Sequence, residues 1–191
     1  MMSRTCRILL LLAAFLLPAG IMSAQQNSVG FFNSVKGFGV SFSMPTSEYE
    51  YESLTLFSDI YGIPSGRTKS PGVKFNYTHQ FVLIDYELED SVISLYAGPG
   101  LSAGYLFDHE PGAFADYDVA LAMNKGFACA LSGTAGCLFN FSRGIVLDLF
   151  WTVEGGIHMR RDETLGNIDL KLYKNGFTQA WLPQLAIRAF F

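Results

Sequence analysis

Hydrophobic and polar residues alternate along residues 145–160. Ile145, Leu147, Leu149, Trp151, Val153, Gly155, Ile157 and Met159 share one parity. The other carries Asp148, Glu154, His158 and Arg160 among Val146, Phe150, Thr152 and Gly156. Successive side chains of a strand point to opposite faces, so the pattern predicts one two-faced strand of 16 residues. A globular strand usually has about 3–10 residues, whereas a bilayer-crossing strand needs about 9–11 and often continues past the membrane.

The same alternation recurs on both sides of this stretch. Over 36–44, Phe38, Val40, Phe42 and Met44 oppose Gly37, Gly39, Ser41 and Ser43. Over 72–86, Val73, Phe75, Tyr77 and Phe81 oppose Lys74, Asn76, Thr78 and Gln80, with His79 on the apolar side. Over 92–107, Leu95, Leu101 and Tyr105 oppose Tyr96, Gly98, Gly100 and Ser102. Over 127–141, Phe127, Leu131 and Phe139 oppose Ala128, Ala130, Ser132 and Thr134. Small or polar residues on one face and large apolar ones on the other fit a narrow barrel with its polar side inward and lipid outside. In 48–58 the alternation breaks near Ser53, which predicts a bulge; Pro99 predicts another bulge or bend, since proline lacks the ladder N–H. Residues 28–33 read as a short first strand, 168–173 as a strand hidden in a long connection, and 117–123 as a short surface helix.

Connections alternate in length. Residues 45–47, 87–91 and 142–144 are short; 59–71, 108–126 and 161–181 are long. Short periplasmic turns and long outside loops are the habit of outer-membrane barrels. The fold expected is all-β: an antiparallel up-and-down transmembrane β-barrel of eight strands. Aromatic residues mark both rims, with Tyr49, Phe139, Phe141 and Phe191 at one end and Phe75, Tyr105, Phe107 and Phe127 at the other. Leu147, Trp151, Ile157, Phe139 and Phe191 are the lipid-facing residues on this reading.

The N-terminus changes the picture by setting the compartment. Arg4 and Arg7 precede an apolar run at 8–17, then Pro18, Gly20 and a small-residue site at Ala24, the pattern of a cleaved signal peptide over residues 1–24. Residues 25–191 then form a single barrel domain. Without Arg4 and Arg7, 11 basic residues stand against 17 acidic ones, a formal charge of −6. Such a balance gives no reason to expect a nucleic-acid partner. No later stretch is apolar for 18 consecutive residues, so a helical span is not expected. Cys129 and Cys137 lie about 26 Å apart if both are on one strand at ~3.3 Å per residue, too far to pair. They share parity with Phe127, Leu131 and Phe139 and read as small apolar wall residues.

The closing segment LPQLAIRAFF, LYAGPGLSAGYLF at 95–107 and ALSGTAGCLFNFSRGIVLDL at 130–149 together resemble small outer-membrane barrels of the outer membrane protein A and X type, above all those of Bacteroidota. The similarity covers about residues 30–191 and is carried mostly by periodicity. It implies outer-membrane location, lipid and lipopolysaccharide as surroundings, and recognition of the terminal strand ending at Phe191 by the outer-membrane assembly machinery. Members of that group serve as structural proteins, adhesins or, occasionally, lipid-modifying enzymes.

For chemistry, the polar parity gathers Asp148, Glu154, His158 and Arg160, with Arg188 from the last strand and Lys74 from an earlier one. The bland reading is an ion-paired filling of the lumen, since buried charges need partners and both signs are present. An eight-stranded lumen is just wide enough for side chains to fill, so no open pore is expected. The sharper reading is a lipid acyl hydrolase or acyltransferase using His158, which requires a nucleophile and an orienting carboxylate beside it; no local Ser-His motif offers them. A third reading, a soluble periplasmic lipid carrier, reverses the faces. No catalytic residue, metal cluster or cofactor motif is singled out. Tyr61, Arg67, Lys69, Asp116, Tyr117, Arg161, Tyr173 and Lys174 are the loop groups available to an extracellular ligand.

Overall fold

The structure is a computed structural model that describes residues 27–34, 37–60, 71–89, 91–107, 125–141, 145–161, 166–173 and 182–191. The expected signal peptide, the helix at 117–123 and most of the long connections lie outside these residues.

Among the described residues, nine strands follow in chain order. They are β1 (Ser28–Asn33), β2 (Phe38–Ser47), β3 (Glu50–Asp59), β4 (Gly72–Leu88), β5 (Ser91–Phe107), β6 (Lys125–Phe141), β7 (Ile145–Arg161), β8 (Ile168–Leu172) and β9 (Gln184–Phe190). Neighbours from β1 to β7 pair antiparallel, and β9 bonds to both β7 and β1, so the sheet closes on itself. The result is an eight-stranded antiparallel barrel whose eighth position is shared by β8 and β9. Both run antiparallel to β7, β8 beside its last residues and β9 beside its first. From Phe150 to Ile157 β7 spends seven residues, while the returning chain spends twelve between Leu172 and Gln184. The eighth position is thus filled by two separate pairings, with five more residues between them on the returning chain than on β7.

Register fixes the barrel's dimensions. Hydrogen-bonded neighbours lead from Ser28 through Ser43, Ser53, Thr78, Gly100 and Ser132 to Glu154. Asp148, six residues back along β7, is level through Ala186 with Phe32, four residues on from Ser28. One circuit is therefore offset by about ten residues, a stagger that tilts the strands and leaves a bore only side chains wide. A line drawn perpendicular to the strands from β1 to β7 accordingly climbs from the end with the tight hairpins toward the end with the long connections.

The faces separate as the alternation requires. Phe31, Val40, Leu54, Phe75, Leu101, Leu131, Trp151, Ile157 and Ile187 are exposed on the outside, Leu131 to 70%. Ser41, Ser53, Lys74, Thr78, Gln80, Thr134, Asp148, Thr152, Glu154, His158 and Arg188 are buried inside. Leu147 and Phe139 share the outward parity and are half-buried, and Phe191 is exposed. Cys129 and Cys137 are unpaired, the first exposed on the outer wall.

Three local expectations need correction. The turn placed at 45–47 lies at 48–49, because β2 continues through Ser47 with a register shift between Pro45 and Ser47. That shift absorbs the irregularity expected at Ser53; β3 alternates unbroken, with Ser53 and Phe57 inward and Leu54 and Leu56 outward. Pro99 causes no bulge against β6, where it sits opposite Gly133 in register. The β4–β5 irregularity falls between Val82 and Ile84 instead.

Candidate functional site

The interior is built from the parity that β4, β5, β7 and β9 turn inward, and it contains two buried ion pairs. Lys74 on β4 reaches across the bore to Glu154 on β7, with Nζ donating to Oε1 at 2.8 Å and Oε2 at 2.7 Å. Glu154 is 0% exposed, and the Lys74 ammonium also lies 5.7 Å from the Phe57 ring centre. Six residues along β7 toward the tight hairpins, Arg188 on β9 holds Asp148. The Tyr96 hydroxyl, 2.9 Å from Asp148 Oδ1, donates to the same carboxylate, and Arg188 Nη1 donates to Ser43 Oγ at 2.7 Å. Charge-assisted bonds of this kind satisfy a carboxylate that would otherwise be stranded away from water. Glycine makes the room: a Cβ on Gly136 would stand 2.6 Å from the Tyr96 hydroxyl, and one on Gly30 would stand 2.8 Å from Arg188 Cγ.

His158 is 2% exposed at the far end of the bore. Its Nε2 lies 3.2 Å from the Leu106 carbonyl oxygen, and its ring packs against Tyr173 at 6.5 Å between centres. Tyr173, expected among the exposed loop groups, is fully buried there, because the outer half of the eighth strand folds it inward. Arg160 does not join the central pairs. It donates to Asp169 of β8 at the rim, where hydrogen bonds from Lys171 and Arg160 hold the Asp169 carboxyl below its ordinary range.

The remaining space is small. A cavity of about 40 Å³ borders Lys74 and Glu154, and another of about 70 Å³ lies on the tight-hairpin side; Gln80 and Arg188 line both and divide them. Ser41 Oγ and Arg188 Nε, buried without a hydrogen-bond partner among the described residues, both border the first. Space of this size suits a few water molecules. An aromatic group, Phe32 against Phe57 and Phe150 at 6.0 and 5.9 Å, narrows the same level. Among the described residues no group of three or more His, Cys, Asp and Glu side chains is arranged to hold a metal ion.

No family model, curated protein or solved structure matches this chain. The site must therefore be read from its own geometry. Of the six polar residues named from the sequence, Lys74 meets Glu154 and Asp148 meets Arg188, while His158 and Arg160 stand apart near the long-loop end. Tyr96 and Ser43 were missing from that set. Both carried the inward parity, yet parity alone does not say which of several inward hydroxyls reaches a charge. Phe32 and Phe57 were missed because an apolar group inside a polar bore contradicts the simple pattern.

Proposed function

We propose that this chain is an integral outer-membrane β-barrel protein with a structural or surface-interaction role, its bore closed by ion pairs rather than open as a pore. The observation that carries this reading is the partition of side chains: charges buried and paired within, a predominantly apolar wall without. Water-soluble barrels that carry lipids need the opposite arrangement, and so large an exposed apolar surface calls for a covering. Outer-membrane lipid and lipopolysaccharide are the proposed surroundings, and the strand ending at Phe191 the proposed signal to the assembly machinery. His158, set against a backbone carbonyl and the Tyr173 ring, supports a packing role over lipid hydrolysis.

Fractionation of cells expressing the full chain tests the proposal, with gel mobility compared before and after boiling. The expected result is recovery with outer membranes and faster migration of the unboiled protein. Leu131→Arg places a charge at the centre of the wall and should reduce insertion into lipid vesicles, at a cost of about 2–4 kcal/mol. Recovery in the soluble fraction, with Leu131→Arg as well folded as the parent, would overturn it.

A further inference from the structure

Between its rims, the described wall of β3–β7 carries carboxylates at one place. Glu50 and Glu52 share the outward parity of Leu54 and Leu56, and Glu52 stands opposite His79 of β4. His79 Nε2 lies 3.5 Å from Glu50 Oε2, and Tyr77, two residues before His79 on β4, shares this outward face. These groups are partly open, with 27% of the His79 and 40% of the Glu50 side chain exposed. Ionisable groups on a lipid-facing wall are costly unless something polar meets them.

A shallow trough, open to the surroundings, crosses β5, β6 and β7 nearby. Its floor is Ala97, Pro99, Gly133 and Ala135, with Trp151 and Val153 on its far side. His79 lies between the Thr78–Gly100 and Phe81–Ala97 pairs, which sets it next to Pro99. Pro99, Gly133 and Val153 are level across β5, β6 and β7. That row runs perpendicular to tilted strands, so it rises from the polar patch, near the end of β3 that carries a tight hairpin, toward the long-loop end.

We propose that this surface holds one phospholipid whose headgroup carries a primary ammonium, an inference that rests on the membrane reading above. The ammonium N–H groups meet the Glu50 and Glu52 carboxylates, His79 offers a ring N–H to the phosphate, and one acyl chain lies in the trough. Headgroup near the tight-hairpin rim and chain toward the middle of the wall is the orientation of a lipid in the leaflet on that side. Charge selects among headgroups. A choline head has no N–H to donate, and an anionic glycerol head is repelled by two carboxylates.

Purified full-length barrel, delipidated in detergent, is incubated with phosphatidylethanolamine, phosphatidylcholine or phosphatidylglycerol of equal chain length, and retained lipid is measured by native mass spectrometry. One equivalent of phosphatidylethanolamine is expected, favoured about three- to tenfold over the others, the effect of about 1 kcal/mol. Glu50→Gln with Glu52→Gln should abolish the preference. Gly133→Leu should lower retention of phosphatidylethanolamine by filling the trough. It is suited to the purpose because a Cβ there meets only Val153 Cγ1 at 3.5 Å. Equal retention of all three lipids, or unchanged retention in these variants while boiling-sensitive mobility is kept, would overturn the inference and leave the membrane reading intact. Failure of the parent chain to insert into vesicles at all would instead remove the reading on which it rests.

Discussion

Lys74→Met is the most informative single change. Lys74 and Glu154 face each other across the bore at 2.7 Å, and neither has a second charged partner of opposite sign among the described contacts. At that distance and an effective dielectric constant of about 20, their Coulomb attraction is on the order of 6 kcal/mol, most of it spent on removing both groups from water. Methionine keeps the length of the lysine stem but leaves the Glu154 carboxylate buried and unpaired. Breaking such a pair from one side costs about 3–5 kcal/mol. The adjoining 40 Å³ cavity admits water and moves the expectation to about 3 kcal/mol. Replacing both residues, Lys74→Met with Glu154→Leu, should cost less than either single change, because no uncompensated charge remains. Equilibrium urea unfolding of vesicle-inserted protein, followed by tryptophan fluorescence, measures all three in one thermodynamic cycle. A loss below about 0.5 kcal/mol for Lys74→Met, or a double variant as unstable as the sum of the singles, would refute the claim that the pair is desolvated and coupled.

Removing Arg188 strands Asp148 in the same way, so Arg188→Leu should destabilise by about 3 kcal/mol or more, whereas Tyr96→Phe, which removes one of the carboxylate's donors, should cost about 1–2 kcal/mol in the same assay. Gly98→Val should prevent barrel closure, since a Cβ at Gly98 would fall 1.8 Å from the His79 carbonyl oxygen; Gly133→Ala, with open space around it, should fold normally, as judged by the boiling-sensitive gel shift. Asp169, held below its ordinary range by Lys171 and Arg160, contributes stability that is present above about pH 4 and lost as pH falls through its depressed value. Protection of β8 amides, measured relative to the intrinsic exchange rate at each pH, should therefore fall as the pH drops below about 4 while that of β6 stays unchanged; an equal loss in both strands would contradict this.

The barrel itself was legible because periodicity two is a geometric property of strands, and β4 to β7, 17 residues each, carry it over most of their length. Inward Lys74, Asp148, Glu154 and Arg188 followed from the same parity. What the pattern could not supply was partnership, since register decides that Lys74 meets Glu154 and Arg188 meets Asp148, and register depends on where surplus residues fall. The shift at Pro45 and Ser47 shows the difficulty: the run at 48–58 looks broken at Ser53, but the irregularity is discharged one strand earlier, on the other arm of the same hairpin. Tyr173 was misplaced for a related reason. Its neighbours Lys171 and Lys174 look like a solvated loop, and only the division of the eighth strand turns its ring onto His158.

Closure depends on two short strands, six-residue β1 and seven-residue β9, which pair with each other across the barrel's seam. Until that seam zips, β1 and β7 each offer unsatisfied backbone groups to any passing strand, and a half-made cylinder is an adhesive sheet. A nascent molecule therefore stays vulnerable to misassociation until β9 has been delivered, and shielding during that interval matters more to its fate than any strength stored in the longer staves.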